Sequence, residues 1–180
     1  MSIDCPSDCP YLVASREYDE ERRQIDWKKI PFSDVEIPAE FVESHTPLMV
    51  RLISCIAEYA QDHRQVVDTD VTAALQALAG TYRTLSSGLY YEKPPDYLYQ
   101  RELYHALKAE VEKFKQAETQ RLGLATTRDS EIRDALIYLT QSAASRENGR
   151  PKGRAFLDLI RAQLAREASA KPASNIVLLP

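Results

Sequence analysis

The feature that most constrains this fold is a long series of apolar residues at helical spacing in the middle of the chain. The series repeats every three or four residues and comprises Val71, Ala74, Leu75, Leu78, Tyr82, Leu85 and Leu89. Residues at this spacing lie on one side of an α-helix. Asp68 or Thr69 can cap its start, because the side-chain oxygen of either residue accepts a hydrogen bond from a free backbone amide. We therefore predict a helix that starts there, ends near Gly88 and buries one face.

Four further segments show the same periodicity. Thr46 is a suitable cap and Pro47 a suitable first residue for the first of them, and Gly123 is well placed to end the second. These predicted helices run from residue 47 to about 63, from 96 to about 122, from about 129 to 146 and from about 154 to 167. A short turn of helix is also predicted from Pro38 to Ser44. With 5 glycines and 28% charged residues in the chain, long helices are favoured over an antiparallel sheet.

These patterns predict an all-α fold, a single-domain antiparallel helical bundle of about five to six helices. Residues 47–168 are assigned to the bundle, residues 1–46 to an irregular, charged N-terminal arm with short helices, and residues 169–180 to a C-terminal tail. Short connections favour sequence neighbours packed antiparallel. The charged stretch from Arg16 to Lys29 has a thin apolar edge, and the tail ends in an apolar run. Both are surplus to one bundle core, which favours contact with another protein surface.

Charge and terminal sequence argue against a membrane or nucleic acid as the partner. The formal net charge is -4 at pH 7, which gives no overall attraction to anionic surfaces. The N-terminus, MSIDCPSDCP, lacks the basic start and apolar core of a secretory signal. We therefore expect a cytoplasmic protein that contacts no membrane, for which nucleic acid is an unlikely partner.

The three cysteines predict neither a disulfide framework nor a metal site. An odd number cannot all pair within one chain, as a reducing compartment permits. Cys55 lies in an apolar helical stretch and is interpreted as a core residue. Cys5 and Cys9 can supply two soft ligands or a reversible disulfide, but a zinc site normally needs four ligands in compact pairs. An arm that carries two thiols is the favoured interpretation, and no cofactor is expected.

Tyrosines are concentrated at one predicted helix junction. Ten are present in the chain, and six fall in a short region: Tyr82, Tyr90, Tyr91, Tyr97, Tyr99 and Tyr104. Tyrosine combines a large apolar ring with a hydroxyl group that needs a polar partner, so such a cluster is typical of a binding groove or interface core. The alternative is that the rings pack the helix corner and direct their hydroxyl groups to water.

A basic segment joins the last two predicted helices. It carries Arg146, Arg150, Lys152 and Arg154 against a single glutamate. Together with backbone amides at the start of the last helix, these cations can bind a phosphate or carboxylate group. A solvated loop is the plainer interpretation, because most charge runs on loops contact only water.

Glu102 and His105 form an E-x-x-H step on one predicted helix face. Carboxylate-bridged di-metal bundles use this step, but they need it twice, and no second copy is present. A metal at this pair would require further inward carboxylates, for which the candidates are Glu58, Glu110 and Glu131. The alternative is that Glu102 and His105 are solvated or hydrogen-bonded at the bundle surface.

Three functions follow in order of preference. The first is a non-enzymatic interaction or regulatory module that self-associates or binds another protein through a helical surface. The second is a metal- or small-molecule-dependent enzyme housed in the bundle, although no phosphate loop, G-x-S-x-G elbow, H-E-x-x-H step or dinucleotide fingerprint is present. The third is nucleic-acid or anion binding through residues 146–154, which the acidic balance of the chain disfavours.

Overall fold

The computed structural model describes residues 27–146 and 152–170, and this part of the chain is built from six α-helices with no strand. The helices are α1 (Ala39–Ser44), α2 (Thr46–Asp62), α3 (Asp68–Leu85), α4 (Leu98–Leu122), α5 (Asp129–Ala144) and α6 (Ala155–Ala170). A single turn of 3-10 helix, Trp27–Lys29, precedes them. The predicted all-α bundle is confirmed. Several predictions concern residues outside this part of the chain, namely those for Cys5, Cys9, Arg150, most of the charged arm and the apolar tail.

Two details at the start of α2 and the end of α3 differ from prediction. Thr46 lies inside the helical run, and its hydroxyl donates to the carbonyl groups of Val42 and Glu43 in α1. Only His45 therefore separates α1 from α2. Leu89 lies beyond the end of α3 and is 68% exposed, so the apolar series stops at Leu85.

Gly123 ends α4 as predicted. Its φ is 84°, and its amide donates to the Thr119 carbonyl. Glycine adopts this left-handed conformation without the steric cost that a Cβ imposes. The chain can therefore turn sharply into the loop before α5.

The most extensive helix contact is between α3 and α5. Both helices carry small residues that are fully buried, including Ala74 and Ala79 of α3 and Ala135 and Ala143 of α5. Small side chains let two helix axes approach closely, which brings the larger core side chains into contact.

Helix α2 runs antiparallel to α4 and to α6. Near one end of the α2–α4 pair Arg51 contacts Glu110, and near the other Tyr59 contacts Glu102. Arg154, just before α6, donates to the carbonyl groups of Ala60 and Arg64 at the C-terminal end of α2.

Helices α3 and α4 run in the same general direction, although they follow one another in sequence. Gln100 in the first turn of α4 donates to Asp70 in the first turn of α3, while Lys115 lies over the ring of Tyr82, far along both helices. Residues 86–97, which we call the strap, cross back along α3 to make this possible.

Asp68 joins the start of α3 to the start of α6. Asp68 is 1% exposed, and its carboxylate accepts hydrogen bonds from the amides of Phe156 and Leu157, at 3.0 and 3.1 Å. Asp68 or Thr69 was predicted to cap α3, but the helix begins after Val67, whose amide donates to Asp70. Burial raises the pKa of Asp68, and the α6 amides act in the opposite direction. The carboxylate thus caps α6 across the bundle.

No helix in residues 27–146 or 152–170 is both long enough and apolar enough to span a membrane.

Candidate functional site

The six tyrosines of the predicted cluster separate into a buried and an exposed group. Tyr104 is fully buried, and its hydroxyl group lies 3.0 Å from the Thr81 hydroxyl. Burial raises the pKa of Tyr104 to about 12, and it also raises the pKa of Tyr82, which is 3% exposed. Tyr99 is half-buried and meets the His63 ring edge-on. These three tyrosines pack the bundle.

The other three tyrosines lie on the surface, in the strap that also contains two prolines. Tyr90, Tyr91 and Tyr97 are 62% to 75% exposed, and the adjacent Leu89 and Leu98 are also exposed. Five of the eight large exposed apolar side chains in the described part of the chain therefore fall within residues 89–98. Concentrated exposure of this kind marks binding surfaces, whereas scattered exposed residues need no explanation.

 A groove lies between the strap and α3. Its volume is about 460 Å³. The floor of the groove is formed by small residues of α3, and its wall by the strap: Ala73, Ala77, Gly80, Tyr91, Pro94 and Pro95. A Cβ added at Gly80 would meet no atom within 4 Å, so the floor is open.

An ion pair fixes the strap to α4. Lys108 donates to Glu92 at 2.6 Å and to the Tyr90 hydroxyl at 3.1 Å, and that hydroxyl also donates to Glu92. The hydrogen bond from Lys108 is the main reason why the pKa of Glu92 falls to about 2. Pro94 and Pro95 further restrict the backbone of the strap. The exposed rings are therefore presented from an anchored segment.

Glu102 and His105 do not form part of a larger ligand set. Glu102 accepts a hydrogen bond from Tyr59 at 2.8 Å, and the exposed His105 meets the Tyr104 ring edge-on. Within residues 27–146 and 152–170, no group of three or more histidine, cysteine or acidic residues is placed to hold a metal ion. The carboxylates considered as further ligands have other surroundings: Glu110 pairs with Arg51, Glu131 accepts from the Arg128 amide, and Glu58 is exposed.

The described basic residues near α6, Arg146, Lys152 and Arg154, have no partner in common. Arg154 donates to carbonyl groups at the end of α2, and Arg146, just beyond α5, donates to the Ser142 carbonyl of that helix. Lys152 is exposed, and Arg150 lies outside the described residues. Arg154 therefore has a structural role that the charge pattern did not indicate.

Cys55 is half-buried rather than fully enclosed. Burial, followed by the charge of Glu110, raises the pKa of its thiol to about 11. A thiol with a raised pKa is a poor nucleophile at neutral pH, which agrees with the interpretation of Cys55 as a packing residue.

Sequence reasoning missed the groove and a separate polar cleft around His45. The groove depends on the strap lying along α3, and the cleft combines residues of four elements. Neither arrangement leaves a local signal in sequence.

Comparisons with protein-family models, with curated proteins and with solved structures give no match to this chain.

Proposed function

We propose that this protein is a non-enzymatic interaction module that binds a second copy of itself through the strap and the groove beside it. The observation that carries the proposal is the concentration of large exposed apolar side chains next to a groove with a floor of small residues. Interfaces combine aromatic anchors with pockets that receive them.

The surface is suited to an identical partner because it carries both halves of such a contact. In a dimer with two-fold symmetry, each copy presents the same patch, so protruding rings of one copy face the groove of the other. Lys93 and Asp96 also line the groove, are exposed and carry opposite charges. Two-fold symmetry can place Lys93 of one copy beside Asp96 of the other.

The first test removes the exposed rings. We expect the double substitution Tyr91→Ser and Tyr97→Ser to weaken self-association at least about tenfold, because aromatic anchors carry much of the binding energy at interfaces. Sedimentation equilibrium of the full chain measures the dissociation constant.

The matched control is Leu122→Ser with Leu124→Ser, which removes two exposed apolar side chains at the end of α4 and just after it. The control should self-associate like the wild type. A wild-type chain that stays monomeric, or equal weakening by both double variants, would contradict the proposal.

A complementary variant fills the groove without removing a contact within the fold. Gly80→Leu adds a side chain at an open helical position and replaces glycine with a better helix former. We expect weaker self-association together with an unchanged or higher free energy of unfolding. Unaltered association would show that the groove does not receive the second copy.

A further inference from the structure

A second cavity lies where α1, α2 and α5 meet the C-terminal part of α4. Its volume is about 580 Å³, within the usual range for small-molecule sites, and it shares no lining residue with the groove. One part of its wall is apolar and is formed by Pro47, Leu48, Phe114 and Ala117. The rest is polar and includes His45, Arg51, Arg121, Glu118 and Glu131.

The imidazole ring of His45 is held in one orientation. Its Nδ1 lies 2.9 Å from the Phe41 carbonyl oxygen, which can only accept, so Nδ1 carries the hydrogen. The Phe41 ring stacks on the imidazole with the centroids 4.0 Å apart. In the neutral ring the lone pair is therefore on Nε2, which is 3.9 Å from Oε1 of Glu131. These two atoms form a pair of neighbouring acceptors.

A buried carboxylate fixes the loop that forms another wall of the cleft. Glu118 is 9% exposed and accepts hydrogen bonds from the Thr126 hydroxyl and from the amide and hydroxyl of Thr127. Burial acts to raise the pKa of Glu118, but these hydrogen bonds outweigh it and lower the pKa. The cleft is thus preformed on this side.

The charged residues of the cleft include both signs. Arg51 pairs with Glu110 through one guanidinium nitrogen, while Arg121 is exposed and makes no ion pair with a described residue. The lining contains two arginines, Arg51 and Arg121, and two glutamates, Glu118 and Glu131. This balance disfavours a simple anion or a simple cation and favours a molecule that carries both charges.

We propose that this cleft binds a small zwitterion of the α-amino acid type with an apolar side chain. The ammonium group donates to Nε2 of His45 and Oε1 of Glu131, the carboxylate pairs with Arg121, and the side chain contacts Phe114 and Leu48. The proposal does not depend on self-association through the strap.

The test uses L-phenylalanine as the probe, with 2-phenylethylamine and 3-phenylpropanoate as compounds that each lack one charged group. Calorimetric titration of the full chain should show binding of L-phenylalanine, with each single-charge compound at least about tenfold weaker. No binding of L-phenylalanine, or equal binding of either single-charge compound, would overturn the proposal.

Two variants assign the contacts. Arg121→Gln should weaken L-phenylalanine binding about tenfold with an unchanged melting temperature, because Arg121 is exposed and has no ion pair with a described residue to lose. His45→Asn should weaken binding while its side-chain amide can still donate to Phe41. Arg133→Gln, on α5 outside the cleft, is the control and should bind like the wild type; a loss equal to that of Arg121→Gln would contradict the assignment.

Discussion

At the scale of single residues, the buried carboxylate of Asp68 joins two helices that are distant in sequence. The first amides of a helix have no partner within it and need an external acceptor. Asp68 supplies this acceptor to Phe156 and Leu157, and its own amide donates to the Gly153 carbonyl. The attachment of α6 to the bundle therefore depends strongly on this residue.

We expect Asp68→Ala to lower the free energy of unfolding by about 2 kcal/mol, because buried amides of α6 lose their acceptor. Asp68→Asn should cost less, since its amide oxygen can still accept one hydrogen bond. Urea unfolding measures the stability, and hydrogen exchange of the α6 amides locates the change. Asp134→Ala is the surface control; a loss as large as that of Asp68→Ala would contradict the capping role.

At the scale of elements, the strap holds its exposed rings in place through Glu92, Lys108 and Tyr90. The strap has no regular hydrogen-bonded structure over residues 89–95. Its position depends on side-chain contacts to α4 and on a hydrogen bond from Thr84 to the Tyr91 carbonyl. A charged contact of this kind makes the strap sensitive to acid.

We predict that Glu92 titrates well below its ordinary value of 4.5, with a midpoint at about 2. Because its pKa is lowered in the folded chain, its contribution to stability is present above pH 4.5 and is lost as the pH falls toward 2. Carbon NMR of the Glu92 carboxyl group measures the midpoint. Lys108→Met should move it back toward 4.5, and a wild-type midpoint near 4.5 would contradict the ion pair.

At the scale of the whole molecule, the strap decides the direction of α4 relative to α3. From Asp70 to Leu85, α3 rises about 22 Å. Since Gln100 contacts Asp70, the connection must return over most of this length. A tight turn after α3 cannot span it, so the length of the strap is a requirement of the topology.

Deletion of residues 88–95 leaves four connecting residues that reach about 17 Å when extended, too short for the return. We expect this variant to lose cooperative urea unfolding. Replacement of residues 89–93 by glycine and serine at unchanged length should keep cooperative unfolding, although with lower stability. A deletion variant that unfolds cooperatively with Gln100 still beside Asp70 would contradict the topology.

Most helices could be predicted because their signals are local. The apolar spacing in α3 and the terminating glycine of α4 both act within a few residues, so they can be read from sequence. The roles of Asp68 and Arg154 could not be predicted in this way. Asp68 caps α6 rather than its own helix, and Arg154, predicted as an anion-binding or solvated residue, caps α2; each contact spans about 90 residues of the chain.

The candidate site was predictable only in part. The tyrosine cluster drew attention to the region that contains the strap, but periodicity did not separate the buried Tyr82 and Tyr104 from the exposed Tyr90, Tyr91 and Tyr97. That separation depends on where the strap leaves α3 and how it returns. The cleft around His45 was not predicted, because its residues come from four separate elements.

The sequence by itself determined that this chain forms amphipathic helices and approximately where each begins and ends, because helix formation depends on side chains three and four residues apart. Only the tertiary structure decided which helices pair, which tyrosines are exposed and which polar groups meet. Those outcomes depend on packing between segments that are distant in the chain. The strap and two capping side chains, Asp68 and Arg154, determine much of that packing.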